Sequence, residues 1–139
     1  MSTFLFNFKA QFVPAVEGGT KLQTIRHRRK DGRQPHAGDI AKLYTGLRTS
    51  KARLLREAPV VDCFPVNIDM GEMASRRIIS NGVRLNIGEG NAFAKLDGFE
   101  DSQDMIQWFK STYRGMQWFE GFCVRWSTRS ALQRSGEPQ

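Results

Sequence analysis

The chain has 139 residues, with 21 Lys and Arg against 14 Asp and Glu, a net charge of +7. That length suits one domain around one core. No apolar run approaches the ~18 residues of a membrane-spanning helix, and the stretch Met1–Phe8 lacks the charged and apolar regions of a signal peptide. The positive balance favours polyanionic partners without naming one. Cys63 and Cys123 have no CxxC spacing and read as buried thiols of a cytoplasmic protein rather than a disulfide or redox pair.

In chain order, Phe4, Phe6 and Phe8 alternate with Leu5 and Asn7, the period of a strand packing one aromatic face. Phe12, Val13 and Val16 then recur at helical spacing. Pro14 must sit in the first turn of that helix, and Gly18-Gly19 supplies the left-handed position that ends it. Leu22–His27 reads as a short strand and Arg28–Gly38 as a basic loop broken by Gly32 and Pro35. Ile40–Tyr44 alternates as a half-buried strand, closed by Gly46. Ala52–Ile68, interrupted by Pro59 and Pro65, reads as two short strands or one bent one.

Asn81-Gly82 between Ile78-Ile79-Ser80 and Val83-Arg84-Leu85 predicts a type I′ hairpin, whose two central residues need φ > 0. A short helix is expected over 91–96, with Gly88-Glu89-Gly90 as a loop. A second helix is expected from Asp101 or Ser102, either able to cap it. It carries Met105, Trp108, Phe109 and Tyr113 on a stripe that reads as core, and Gly115 stops it. Trp118–Trp126 is the last strand. Residues 1–127 form the expected domain, and the polar residues 128–139 the expected disordered tail. Mostly non-parallel strands with a few helices define an α+β class.

The densest chemical segment is Gly19-Thr20-Lys21-Leu22-Gln23-Thr24-Ile25-Arg26. In an extended strand Thr24 and Arg26 share a face, and Lys21 joins them if the chain bends at the turn. The trio would set an ammonium, a hydroxyl and a guanidinium around one anionic or amide-bearing ligand. A lysine of lowered pKa would also activate the threonine as a nucleophile. The competing reading is a surface turn and a strand with solvated charges.

The string Gly19-x-Lys21-x-x-Thr24-Ile25-Arg26, followed by Gly38-Asp39-x-x-x-Leu43-Tyr44-Thr45-Gly46-x-Arg48-Thr49, resembles the ASCH domain family. Gly82-Val83-Arg84-Leu85, Asp97-Gly98-Phe99 and Phe119-Glu120-Gly121-Phe122-x-Val124-Arg125-Trp126 extend that resemblance over residues 4 to 126, closest to small phage and bacterial ASCH proteins. The resemblance implies a PUA-like small β-barrel with flanking helices and a cleft that binds RNA or a nucleotide. Some members of the family are enzymes, among them amidohydrolases that deacetylate N-acetylcytidine and a ribonuclease. Carried over from the amidohydrolases, Thr24 would be the nucleophile, Lys21 its activator and Asp97 the proton carrier. Asp97 stands where that branch has glutamate, one methylene longer. A third role is a phage-type protein-interaction module with an idle cleft.

Around the cleft, Arg28, Arg29 and Lys30 would track phosphates, with Arg26 and Arg48 extending the basic surface and Tyr44 stacking on a base. The partners expected are therefore RNA or a modified nucleoside. No cofactor is expected, and His27 and His36 have no ligand-spaced companions for a metal. GxSxG, Walker and GxGxxG motifs are absent.

Overall fold

The computed structural model describes residues 1–72 and 76–128; most of the tail expected over 128–139 lies outside the described residues. Strand β1 (Thr3–Phe8) buries Phe4, Phe6 and Phe8 and exposes the residues between them. Each ring taken out of water contributes about 1.5–3 kcal/mol. A 3₁₀ turn (Ala10–Phe12) leads into α1 (Val13–Gly18), with Pro14 in its first turn, and the helix ends on Gly19 at φ 78°. Strands β2 (Gln23–Arg26) and β3 (Ile40–Thr45) follow.

The segment with two prolines is one long strand, β4 (Arg53–Asp69). A register shift that leaves Val61 unpaired bends it, so its first half pairs with β3 and its second with the last strand. β5 (Arg77–Ser80) and β6 (Val83–Arg84) form the expected hairpin, with Asn81 at φ 50° and Gly82 at φ 82°.

Helix α2 (Ile87–Leu96) starts four residues before the sequence suggests. Gly88-Glu89-Gly90 is therefore its first turn and not a loop. A capping box holds it: the Asn86 side chain accepts from Glu89 N, and Glu89 Oε1 accepts from Asn86 N, satisfying two free amides at once. Gly90 is buried beside Ser102. α3 (Ser102–Thr112) is capped by Asp101, which accepts from Asp104 N. β7 (Trp118–Trp126) ends the described fold.

The class is α+β. Among the described residues seven strands form a single curled sheet. Its main run, read from the pairings, is β2-β7-β4-β3-β1, with β5 and β6 continuing from the far half of β4. β1 and β3 are parallel; the other pairs are antiparallel. The barrel expected from the family resemblance is not closed. Its two end strands, β1 and β2, exchange no ladder hydrogen bonds, and a side chain spans them instead: Arg26 Nη2 donates to the Asn7 carbonyl at 2.7 Å. The open seam is what creates the candidate site. Among the described residues no helix is long and apolar enough to cross a membrane.

Candidate functional site

A cleft of about 180 Å³ opens at the seam. β1 lends it Asn7 and Phe8, β2 lends Thr24 and Arg26, Asp97 comes from the end of α2, and Trp108 and Tyr113 come from α3 and its C-terminal cap. Lys21 enters because Gly19 turns the chain and the backbone N–H of Lys21 donates to Ala15 O. Its aliphatic stem then packs on Gly98, where an added Cβ would sit 3.3 Å from Lys21 Cδ.

Lys21, Gln23, Thr24 and Asp97 are 3%, 0%, 4% and 4% exposed, an unusual concentration of polar groups out of water. Buried polar atoms need partners, and these have them. Lys21 Nζ donates to the Asp97 carbonyl at 2.5 Å and to Asp97 Oδ2 at 3.3 Å. Gln23 Nε2 donates to Asp97 Oδ1 at 3.2 Å, and Gln23 Oε1 accepts from Arg125 Nε at 2.9 Å. Arg125 itself lies over the Phe64 and Phe93 rings.

On the other face of β2, Arg26 Nε donates to Thr24 Oγ1 at 2.9 Å, and the guanidinium lies over Phe6 and Phe8. Thr24 and Arg26 thus share a face, as strand alternation requires. Lys21 Nζ sits 4.8 Å from the Phe12 ring centre and 5.6 Å from that of Phe8.

Burial governs the electrostatics. It pulls the Lys21 ammonium below its ordinary pKa, with Asp97 opposing. It pushes the Asp97 carboxyl up, against the pull of Lys21 and of the hydrogen bond from Gln23. It also lowers Arg26, which has no carboxylate within ion-pair distance among the described residues. Asp97 pairs directly with Lys21 and acts on Arg26 only at longer range, and Lys9 at the rim lies over Trp108. The cleft carries excess positive charge against an aromatic wall of Phe12, Phe99 and Trp108, whose ring centres are 5.5–5.8 Å apart.

The structure thus brings together Lys21, Thr24, Arg26 and Asp97, four residues singled out in the sequence. Asp97 reaches Lys21 despite the shorter side chain, but no hydrogen bond joins its carboxylate to Thr24. The flanking residues are not in the cleft. Arg29 is held by Asp31 through two hydrogen bonds of 3.2 and 2.9 Å and stacks on Phe4. Lys30 and Arg48 are exposed away from it, and Arg28 lines a separate groove. Tyr44 pairs with Asn7, beside a bulge at Leu43/Tyr44, and is half-buried outside the cleft.

Trp108 and Tyr113, read as core from their helical stripe, pack against the core but are only half-buried and also form the cleft wall. Phe109 from the same stripe is fully packed. Gln23 carried no motif signal and Arg125 stood in the last motif without a role; only the β2–β7 register, which pairs them, reveals their contact. Cys123 is a buried free thiol, while Cys63 is free and half-buried rather than buried. No group of three or more potential metal ligands occurs among the described residues. Comparison with family models, curated proteins and solved structures returns no match to this chain.

Proposed function

We propose that the protein is an ASCH-type, PUA-like module whose cleft binds an RNA nucleotide, with the base against Trp108 and the phosphate near Arg26. The observation that carries this reading is Arg26: a half-buried guanidinium that lines the cleft beside an aromatic wall, with no carboxylate within ion-pair distance among the described residues. Its hydrogen bonds go to neutral oxygens, so an anionic ligand would supply the stronger, charge-assisted pairing. Aromatic faces accept any base by stacking. Thr24 and Asn7 fix the guanidinium fork through Nε and Nη2, which orients it for a planar or tetrahedral anion.

The test is calorimetric titration with a nucleoside 5′-monophosphate and its parent nucleoside. The monophosphate is expected to bind more tightly, in a salt-dependent way, and Arg26→Gln is expected to abolish that advantage. Equal affinity for both ligands, or no binding of either, would refute the reading.

The Lys21–Asp97 contact favours a second reading, an amidohydrolase acting on an N-acetylated cytidine. Burial favours the neutral amine of Lys21, which would take the proton of Thr24 as Oγ attacks the acetyl carbon. The carbon–nitrogen bond then breaks, the leaving amine takes that proton, and water hydrolyses the acyl-threonine. Against it, Thr24 Oγ1 is engaged by Arg26. Cytidine release from N-acetylcytidine, lost in Thr24→Val, would support catalysis; no product at high protein concentration would remove it.

A further inference from the structure

Beyond the cleft, the same face of the sheet continues into a second cavity. Across β2 and β7, Thr24 pairs with Val124 and Arg26 with Phe122; across β7 and β4, Phe122 pairs with Pro65 and Glu120 with Asn67. Paired residues lie on one face, and that face repeats every second residue. Thr24, Arg26 and Phe122 therefore form a single surface, buried at Thr24 and open at Glu120. Where it opens it forms a groove of about 410 Å³, lined by His27, Arg28, Asn67, Glu120 and Phe122 among others.

Two features suit this groove to a flat, negatively charged unit. The exposed Arg28 has no acidic partner among the described ion pairs. Phe122, half-buried, lines the groove beside it. The His27 ring packs on Phe119 at 4.7 Å and on Tyr113, a wall of the first cleft, at 5.1 Å, on the side of β7 away from Phe122. The one acid in the groove, Glu120, is occupied by Trp118 Nε1 at 3.2 Å.

We infer that this groove is a second nucleotide subsite, so that the ligand is a single strand of two or more nucleotides rather than a free mononucleotide. The inference rests on the proposed reading of the first cleft. Arg28 takes the phosphate of the neighbouring nucleotide, and Phe122 offers aromatic surface to its base. Chain length is then read by the protein: the first cleft alone sees a mononucleotide, and both cavities see a strand.

The experiment is fluorescence titration of the full chain with a nucleoside monophosphate, a dinucleotide and a tetranucleotide of one pyrimidine. The dinucleotide is expected to bind about tenfold or more tightly than the monophosphate. Arg28→Ala and Phe122→Ser are expected to erase that gain while leaving monophosphate affinity unchanged. Arg28 is exposed, so its variant tests the idea even where Phe122→Ser lowers the melting temperature. A dinucleotide no tighter than the monophosphate, or a gain that survives Arg28→Ala, overturns the second subsite and leaves the first intact. Failure of every ligand, the monophosphate included, instead overturns the first cleft and with it the basis of this inference.

Discussion

Lys21 and Asp97, 76 positions apart, meet twice inside the protein, through the backbone carbonyl at 2.5 Å and the carboxylate at 3.3 Å. Two ions out of water are tolerated only with good geometry and further hydrogen bonds, which the carbonyl and Gln23 supply. The pair therefore fastens the end of α2 to the turn before β2. Asp97→Ala leaves the buried Lys21 without its carboxylate partner and is expected to cost about 3–5 kcal/mol, measured by urea unfolding. Lys21→Met combined with Asp97→Leu is expected to recover most of the loss. A neutral Asp97→Ala would show that the contact does not hold the fold.

Gln23 is oriented by its neighbours. Arg125 only donates, so it must face Gln23 Oε1, which leaves the amide to donate to Asp97. Gln23→Glu keeps the Arg125 contact but sets two carboxylates side by side, and the pair retains a proton in the native state. The native pKa of the pair then rises above its unfolded value, so its stability contribution is present at low pH and lost as pH rises. Unfolding at pH 5 and pH 8 should show the variant's deficit growing toward pH 8. A deficit that grows toward pH 5 contradicts this arrangement.

Burial, aided by Asp62, pushes the Cys63 thiol from 9.0 up to about 11. A raised native pKa adds stability that is complete below pH 9 and is lost as pH rises through 11. Alkylation of native protein should therefore keep accelerating to about pH 11, while Cys63→Ser removes that phase. Saturation near pH 9 would contradict the burial of this thiol.

A Cβ on Gly121 of β7 would meet the Arg26 carbonyl of β2 and the Phe119 ring. Gly121→Ala must push the Arg26 backbone or the Phe119 ring aside, an overpacking expected to cost about 1–3 kcal/mol. Because the displaced strand carries Arg26, ligand affinity should fall with stability. Unchanged melting temperature and affinity would show that the strands give way freely.

Much of this fold was legible in the sequence where one residue type has one physical use. The period of Phe4, Phe6 and Phe8, the Asn81-Gly82 turn and the Asp101 cap each specify their element locally. Lys21, Thr24 and Arg26 were legible because a turn and a strand set their faces. The first turn of α2 was hidden by two glycines, although Asn86 and Glu89 already spelled its capping box. Trp108 packs against the core as its stripe suggests, but its place on the cleft wall was not legible, because a helical stripe states which residues share a face, not where the opposing surface leaves a gap. Tyr44 keeps its register against Asn7 and is half-buried outside the cleft, a placement that depends on where the open seam lies and not on the alternation of its own strand. The contact of Arg125 with Gln23 depends on the pairing of strands about a hundred residues apart, and the open seam depends on where the sheet stops curling.

The central claim is that the seam between β1 and β2 receives a nucleotide. The most direct measurement is an NMR titration of ¹⁵N-labelled protein with a pyrimidine nucleoside monophosphate, following backbone amides and the three indole N–H signals. The account predicts saturable shifts at Lys21 to Arg26, at Asp97 and at the Trp108 indole, with the indoles of Trp118 and Trp126 unmoved. Shifts confined to the exposed Arg28 to Arg33 loop, with the Trp108 indole unmoved, would contradict it.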